Sequence, residues 1–541
     1  MLTLQGKSVF SDIAIGPLAL FHRNTISTAR HPIDNAEDEV QRFQKARTEA
    51  IAQLQVLHRS AVEKVGEEQA AVFEVHQMML DDDDYIESIK GQIRGEMVNA
   101  EAAVEHTAQQ FAAMFRAMDD AYMQARAADV LDISRRVEQQ LCGGPGIDFS
   151  KYDHVIIAAD DLAPSETLQL DTDKILGFIT SAGSTNSHTA ILARTLGIAA
   201  VVNTGTQIHT DVDGLTAIVD GTSGSVYIDP DEATLTKMKA KQQQLKEQKE
   251  RLETVRGVST ETQDGKKINL YANIGNPDNL QQAIAHDAEG IGLFRSEFLY
   301  LENSDYPTEE QQFEAYKKTA EAMQGKTVII RTLDIGADKK VDYFGLDAEE
   351  NPAMGMRAVR ICLTRPALFK TQLRALLRAS AYGKIAVMFP MIISAAEVRQ
   401  CKAILQEVRQ ELDDKDIAYD KHMEIGIMIE TPAAAIMSDE LAKEVDFFSI
   451  GSNDLTQYTL AIDRQQTKLD AFFDSHHPAV LRLIQQTIEN GHRAGIWVGI
   501  CGELGADLTL TETFLRMGID ELSVSPSSIL PLREKIRSIR L

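Results

Sequence analysis

The sequence predicts a multidomain α/β protein whose C-terminal half is a (β/α)8, or TIM, barrel. The chain has 541 residues, enough for about three or four ordinary domains, or for fewer if one of them is a barrel. A helix-rich block interrupts strand-like segments in the first half, and eight apolar strands alternate with helical patterns in the second. These observations predict an α/β domain with an inserted helical bundle, a linker helix and the barrel.

Two separate stretches, residues 1–22 and 144–230, predict one α/β domain. The first contains the apolar run IAIGPLALF, and the second contains HVIIAA, ILGFIT, AAVVN, TAIVD and SVYID, with a helix from Thr189 to Leu196. Residues 23–143 lie between them and are rich in strong helix formers. Their apolar side chains recur three or four positions apart, as in Val40, Phe43 and Ala46, which predicts packed helices inserted into the α/β domain.

Residues 231–260 predict a polar linker helix, with a short coiled-coil seam as the less favoured interpretation. From residue 261 to 541 the strands LYANI, GIGLF, TVIIRT, AVMFPM, EIGIMIE, FFSIGS, WVGICGE and ELSVS are separated by helical patterns. Eight such units in this length match a (β/α)8 barrel in number and size.

The composition excludes several classes of protein. The formal net charge of −26 comes from 81 acidic and 55 basic side chains, so the surface repels nucleic acid and anionic membranes. Four cysteines without a CxxC pair indicate a reduced, cytosolic protein. The start MLTLQGKSVF lacks the pattern of a signal peptide, and no run approaches the roughly 18 apolar residues that span a bilayer. We expect a soluble, cytoplasmic protein.

Charged side chains follow the predicted barrel strands where each strand ends, and barrel enzymes place their chemistry at that rim. The set is Arg295, Arg331, Asp334, Lys339, Glu430, Asn453, Asp454, Arg464, Cys501 and Glu503. Arginines bind phosphate and carboxylate through paired donors, and two carboxylates suit a hard cation such as Mg2+. A rim cysteine acts as a thiol acid or a thiolate base, or is simply a small buried apolar residue. Taken singly, each side chain also has a structural explanation; their coincidence at one rim favours a site.

His188 lies in SAGSTNSHTAILAR, where a Gly- and Ser-rich loop leads from a strand into a helix. A histidine nitrogen is a competent nucleophile towards phosphorus, and helix N-terminal N–H groups stabilise phosphoryl oxygens. The competing interpretation is a polar capping histidine.

The chain resembles Enzyme I of the bacterial phosphoenolpyruvate-dependent sugar phosphotransferase system. The resemblance runs from about residue 10 to the end of the chain. It is carried by DLAPSETLQL, SHTAILAR, AIAHDAEGIGLFRSEFLY, RTLDIGADK, FPMIIS, IETPAAA, KEVDFFSIGSNDLTQYTLAIDR and CGELG. It implies a swivelling phosphohistidine domain and transfer of a phosphoryl group from phosphoenolpyruvate to His188, with release of pyruvate.

The resemblance also implies individual roles. Thr167 orients His188, and Cys501 gives the proton that converts the enolate to pyruvate. Glu430 and Asp454 match the Mg2+ ligands. The positions that hold phosphoenolpyruvate, or touch its anionic groups, are Arg295, Arg331, Lys339, Arg357, Asn453, Asp454 and Arg464.

Partners follow from the same resemblance: a homodimer through the barrel, and a phosphocarrier protein, HPr, that docks on the helical insertion. Acidic side chains around methionines suit a partner with a basic rim and an apolar centre. The candidate docking residues are Glu67, Glu68, His76, Met78, Asp82 and Asp84. From the residues alone, a solvated acidic loop between helices is the preferred interpretation.

The sequence departs from the family at two places. The loop Gly183-Ser184-Thr185-Asn186 lacks the second glycine and the basic residue usual before the histidine, so we expect an altered transfer rate. The chain also stops at Leu541, where many relatives continue, so we expect poorer barrel closure or dimer stability.

Three alternatives remain. A regulatory paralogue would bind phosphoenolpyruvate but transfer poorly. Pyruvate phosphate dikinase and phosphoenolpyruvate synthase share the domains but need an ATP-binding domain, for which the helical block is too short. A carbon–carbon lyase would leave His188 without a purpose.

Overall fold

The computed structural model describes the chain except for residues 22–26, 66, 119–120, 144–152, 163–165, 167–169, 171–173, 184–188, 191–192, 195–196, 206–207, 209, 302 and 337–340. Contacts divide it into two compact units, Met1–Gln248 and Lys249–Leu541. The boundary falls within the predicted linker.

The first unit contains an eight-stranded sheet with the order β1-β8-β7-β3-β4-β5-β6-β2. The middle strands β3 to β6 are parallel, and β1, β2, β7 and β8 pair antiparallel with their neighbours. Because β3 pairs with β4 across the helical insertion, the prediction that both stretches build one α/β domain is confirmed. The strands are β1 Leu2–Gln5, β2 Lys7–Phe10, β3 Ile13–Leu20, β4 Val155–Ala159, β5 Ile175–Thr180, β6 Ala199–Val202, β7 Thr216–Asp220 and β8 Ser225–Ile228.

The insertion is helical, as predicted. Its helices are α1 Ala36–Val65, α2 Glu67–Leu80, α3 Asp83–Glu96, α4 Ala100–Arg116 and α5 Ala121–Cys142. Their apolar faces share one core that includes Phe43, Leu54 and Phe73. Asp82 caps α3 by accepting a hydrogen bond from the Tyr85 amide at 3.0 Å.

The polar linker segment forms helix α6, Glu232–Glu253. Met238 is buried against Ile13 and Ile218 of the sheet, and Lys241 pairs with Asp220 at 2.7 Å. The first part of α6 therefore packs onto the α/β domain.

The second unit is a closed barrel of eight parallel strands, which confirms the predicted fold. Each strand falls within one of the eight predicted apolar runs or differs from it by one residue at an end. The strands are β9 Asn269–Ile274, β10 Ile291–Arg295, β11 Val328–Arg331, β12 Ile385–Phe389, β13 Ile425–Ile429, β14 Phe447–Ile450, β15 Trp497–Ile500 and β16 Glu521–Val524. β16 pairs with β9, so the expected loss of barrel closure was wrong.

Helices surround the strands and bury their outward apolar side chains, whereas a smaller cluster fills the inside of the barrel. Within it, the rings of Phe447 and Trp497 stack with centroids 4.5 Å apart. The helices are α7 Leu280–Ala285, α8 Phe298–Leu301, α9 Glu309–Ala322, α10 Val359–Thr364, α11 Pro366–Ala379, α12 Ala395–Asp413, α13 Pro432–Ile436, α14 Ser438–Leu441, α15 Ser452–Leu460, α16 Pro478–Ala494, α17 Thr511–Met517 and α18 Ile529–Ser538. None of the described helices has the length and hydropathy to cross a bilayer.

Arg533 on α18 is fully buried and ties the segment after the linker helix to the barrel. Its guanidinium donates to the Thr260 hydroxyl at 2.9 Å, to the Asp287 carbonyl at 2.8 Å and to the Asp287 carboxylate. Buried cations are stable only when paired in this way.

Arg533→Ala should lower the free energy of unfolding by about 3 kcal/mol, because it leaves the Thr260 hydroxyl and the carbonyl and carboxylate of Asp287 without their donor. Chemical denaturation followed by circular dichroism measures the change. Arg516→Ala is the matched control: it removes an exposed ion pair with Glu512 and should cost less than about 1 kcal/mol. An equal loss of unfolding free energy in the two variants would contradict the role of Arg533 as a buried, stabilising cation.

Candidate active site

A cavity of about 920 Å3 opens at the carboxyl ends of the barrel strands. The side chains that line it come from different strands, which meet at this end because all eight run parallel. Ten of the predicted rim and site residues are among them: Arg295, Arg331, Asp334, Arg357, Glu430, Asn453, Asp454, Arg464, Cys501 and Glu503.

Asp334 joins two buried arginines on one side of the cavity. Its carboxylate accepts from Arg331 at 2.9 Å and from Arg357 at 2.8 Å, and its residue is 3% exposed. Arg331 also pairs with Glu297, and Arg357 donates to the Tyr458 hydroxyl at 3.3 Å. Burial alone would lower the pKa of Arg331, but the carboxylates of Glu297 and Asp334 raise it overall, so the guanidinium stays charged.

Glu430, which follows β13, and Asp454 on α15 bring a second kind of chemistry to the cavity. The Glu430 residue is 1% exposed, and its Oε1 accepts from the Met391 amide at 2.6 Å. Among the described residues its Oε2 has no hydrogen-bond partner. Burial and the nearby carboxylates of Asp454 and Asp334 raise the pKa of Glu430 to about 8. An incompletely paired carboxylate beside a second one suits a cation.

A cation at this place would not be held by protein groups alone. The described residues contain no cluster of three or more histidine, cysteine, aspartate or glutamate side chains arranged around a metal. Glu430 and Asp454 offer two carboxylates, which fits Mg2+, since this ion usually takes its other ligands from water and from a bound phosphate. Gly451 keeps the neighbouring space open, because a Cβ there would stand 3.1 Å from the Glu430 Oε2.

The mouth of the cavity carries more exposed polar groups. Arg464 reaches back to Asp454 at 3.2 Å. The Asn453 side chain donates to Glu503 at 3.1 Å and accepts from the Glu503 amide at 2.9 Å. Arg295, at the end of β10, is exposed and faces the same cavity. Positive charge is therefore available at the entrance as well as at the floor.

Cys501, which follows β15, reaches the cavity from inside the barrel and is 3% exposed. Burial raises the pKa of its thiol to about 12. The group is therefore a protonated thiol at neutral pH, which favours the acid over the base interpretation.

Comparison with known proteins follows the same division of the chain. Residues 249–541 match the family described as PEP-utilising enzyme, PEP-binding domain, residues 5–126 its N-terminal part and residues 151–224 its mobile domain. A phosphoenolpyruvate-protein phosphotransferase of Bacillus sp. (strain S) is 44% identical over 538 residues, which cover 99% of this chain and 93% of that protein. The chain belongs to the phosphoenolpyruvate-protein phosphotransferases, the Enzyme I family.

A second relative of the same name matches over nearly the whole length of both chains. The phosphoenolpyruvate-protein phosphotransferase of Bacillus subtilis (strain 168) is 41% identical over 540 residues, covering 100% of this chain and 95% of that protein. A solution structure of Enzyme I aligns with 33% identity and a TM-score of 0.39, covering 45% of this chain and 99% of that one.

Some predicted Enzyme I residues are not placed. His188, Thr167 and Lys339 lie outside the described residues, as does most of the loop Gly183 to Asn186. The side chains of Glu67 and Glu68 lie outside them too.

The remaining docking candidates of the helical insertion divide into two groups. Met78 is 71% exposed, and Asp82 and Asp84 are exposed beside it in sequence. The expectation that His76 is exposed was wrong: it is fully buried, with its ring nitrogens 3.2 Å from Asp129 and 3.8 Å from Asp132. Phe73, His76 and Leu80 share the buried face of α2, so the His76 ring does not form part of the exposed surface.

Sequence reasoning missed Glu297, Met428 and Tyr458, which line the cavity. Glu297 lies two residues after Arg295, and Tyr458 ends the quoted motif GSNDLTQY. Both lie in the recognised blocks, but only the folded chain shows that they pair with Arg331 and Arg357.

Asp334→Ala should lower the free energy of unfolding by about 3 kcal/mol, since it leaves two buried guanidinium groups short of a partner. Thermal and chemical denaturation measure the loss. Glu503→Gln, at the exposed mouth, is the control and should change stability by less than about 1 kcal/mol. An Asp334→Ala variant with the same free energy of unfolding as the wild type would show that the arginines do not depend on this carboxylate.

Proposed function

We propose that this protein transfers the phosphoryl group of phosphoenolpyruvate to His188 with the help of Mg2+, releases pyruvate, and passes the group to an HPr-type carrier for sugar uptake. The observation that carries the proposal is the barrel cavity, in which four arginines, the carboxyl groups of Glu430 and Asp454 and a protonated thiol converge. Membership of the phosphoenolpyruvate-protein phosphotransferases supports phosphoenolpyruvate-dependent transfer as the activity.

The charge distribution fits a small substrate with a phosphate at one end and a carboxylate beside it. Guanidinium groups bind such anions through paired N–H donors, and Arg331 and Arg357 are held in fixed directions by Asp334. Arg295, Arg464 and Asn453 can approach the substrate from the mouth, and Lys339 is assigned to the same anionic groups by resemblance. Fixed donors need no reorganisation during transfer, which is how such sites lower a barrier.

Glu430 and Asp454 are the groups that would hold Mg2+. The bound ion supplies charge neutralisation for a transferring phosphoryl group. Arg331 and Arg357 would bind the same phosphoryl oxygens with their guanidinium groups. The substrate would then lie between these two arginines and the carboxyl groups of Glu430 and Asp454.

Cys501 is the proton donor in this proposal. Loss of the phosphoryl group leaves the enolate of pyruvate, whose terminal carbon must gain a proton. A thiol whose pKa lies at about 12 holds its proton at neutral pH and gives it only to a stronger base, which an enolate carbon is.

The acceptor and the partners are part of the proposal. His188, oriented by Thr167, takes the phosphoryl group. The carrier docks on the helical insertion through Met78, Asp82 and Asp84, with Glu67 and Glu68 nearby in sequence, and His76 only supports the helix that presents them. We further propose a homodimer through the barrel and a cytoplasmic location.

The regulatory paralogue is not favoured. Relatives at 41–44% identity over nearly the full length carry the name of the transferase, which supports transfer as the activity.

Labelled phosphoenolpyruvate with Mg2+ should give a phosphoprotein that is stable to base and labile to acid, together with stoichiometric pyruvate. His188→Ala should abolish the label, and a chelator should suppress it by at least about a hundredfold. Cys501→Ala should keep the label but release pyruvate at least about a hundredfold more slowly. Undiminished label in His188→Ala would overturn the proposal.

The rate of pyruvate release should not fall at alkaline pH through loss of the Cys501 proton. Because burial raises the pKa of this thiol to about 12, the proton-donating form persists as the pH rises from about 6 to about 10. A stopped-flow pH profile of pyruvate release, with label transfer as the control, tests this. A fall that is centred near pH 8.5 and absent from label transfer would contradict it.

A further inference from the structure

A buried glutamine in the helix layer of the barrel contacts the ends of two neighbouring strands that carry the cavity. Gln372 lies on α11 and is 1% exposed. Its Oε1 accepts from the Leu333 amide at 2.9 Å, and its Nε2 donates to the Ser296 hydroxyl at 3.0 Å. Ser296 directly follows β10, and Leu333 lies just after β11. One side chain therefore joins the two strand ends from behind the cavity.

The Ser296 end of this contact supports Arg331 and Glu297. Ser296 directly precedes Glu297, and its hydroxyl donates to the Arg331 carbonyl at 2.7 Å while it accepts from Gln372. All four residues are buried. A buried hydroxyl that both donates and accepts has one favoured orientation, so the turn after β10 is held against the end of β11.

The Leu333 end supports Asp334, the carboxylate that pairs with two buried arginines. The Thr332 amide still donates to the Met388 carbonyl of the neighbouring strand at 3.0 Å. The chain then leaves the barrel ladder, and Gln372 provides the acceptor for the next amide, that of Leu333. Buried backbone amides need such an acceptor, so this contact fixes the backbone immediately before Asp334.

The amide group of Gln372 is held on its other side by helix α9. Its Nε2 also donates to the Tyr316 hydroxyl at 3.2 Å, and this hydroxyl donates to the Gln312 Oε1 at 3.3 Å. Tyr316 and Gln312 are both fully buried. The far end of the chain of contacts is the Pro307 carbonyl, which accepts from Gln312 at 3.1 Å. We call these four side chains the buried amide network: Ser296, Gln312, Tyr316 and Gln372.

We propose that Gln372 positions the phosphoenolpyruvate site: it holds the ends of β10 and β11 so that Arg331 and Asp334 keep the arrangement that receives the anionic substrate. This inference rests on the proposed function. Gln372 is not among the residues that line the cavity, so it acts through them and touches no substrate. Its effect is to order the site before the substrate arrives, which removes an ordering cost from binding.

Loss of this support has a kinetic signature that differs from loss of folded protein. When the free site adopts its binding arrangement only part of the time, the apparent dissociation constant rises by the inverse of that fraction. The rate at saturating substrate is unchanged, because the bound substrate restores the arrangement. A purely structural defect instead lowers the amount of active protein and leaves the KM unchanged.

Gln372→Met tests the proposal, because methionine has a similar length and lacks the amide group. The KM for phosphoenolpyruvate should rise at least about tenfold. The dissociation constant should rise by the same factor, measured by calorimetry with Mg2+ in a His188→Ala background, which cannot take the phosphoryl group. Single-turnover label transfer to His188 at saturating phosphoenolpyruvate should stay within about twofold of the wild type.

Gln312→Met is the matched control. It removes a buried amide from the same network, but at the end that contacts Pro307 and not at the strand ends. Its loss of unfolding free energy should be similar to that of Gln372→Met, whereas its KM should stay within about twofold of the wild type. Ser296→Ala removes only the linking hydroxyl and should raise the KM at least about threefold, which keeps the test open if Gln372→Met does not fold.

A KM within about twofold of the wild type in Gln372→Met, or in Ser296→Ala where Gln372→Met does not fold, would overturn the positioning role. An equal rise of the KM in Gln312→Met would overturn it as well. Absence of phosphoenolpyruvate binding to the wild type would instead overturn the proposed function.

Discussion

Asp334 fixes two guanidinium groups at the barrel rim, and the character of the cavity depends on this contact. A buried arginine without a carboxylate would be too costly to desolvate, and a buried aspartate without arginines would be protonated. The Asp334 carboxylate lies 2.9 Å from the Arg331 guanidinium and 2.8 Å from that of Arg357. Glu297 pairs with Arg331 as well, so two carboxylates balance the two positive charges. The arginines therefore stay charged and directed before any anion arrives.

Among the described residues, in contrast, the carboxyl group of Glu430 is not paired with a positive charge at both of its oxygens. Its Oε1 has a partner in the Met391 amide, whereas its Oε2 has none in the described part of the chain. The raised pKa of this carboxyl records the repulsion of Asp454 and Asp334 together with its burial. The cavity thus has an arginine-rich side whose charges are balanced and a carboxylate side whose charges are not, and a substrate phosphate with a divalent cation would balance both sides.

The barrel and its rim were predictable from the sequence because both depend on local patterns. Eight apolar runs fixed the strands, and parallel strands bring their carboxyl ends together whatever lies between them. Arg331 and Glu430 could be assigned to the rim for that reason. The pairing of Arg357 with Asp334 and Tyr458 could not, because it depends on how the long connection after β11 folds back on itself and meets helix α15.

His76 shows how one pattern can outweigh another. Its neighbours in sequence are acidic residues and methionines, which indicate a docking surface. Its spacing from Phe73 and Leu80, at three and four residues, is that of a buried helix face, and all three side chains are fully buried. Periodicity was the more reliable signal, because it reports which face packs, whereas composition only reports what the segment contains.

Periodicity also decides which side chains of strand β16 face the inside of the barrel, but here it places polar residues there. In ELSVS the alternation that turns Leu522 outward turns Glu521 and Ser523 inward, towards a layer that is normally apolar in such barrels. Burying a carboxyl group at such a position costs stability. Two glycines, Gly292 and Gly499, face Glu521 and leave the space that its side chain fills. The alternation can be read from the sequence, but the matching of Glu521 to Gly292 and Gly499 on two other strands is visible only in the folded barrel.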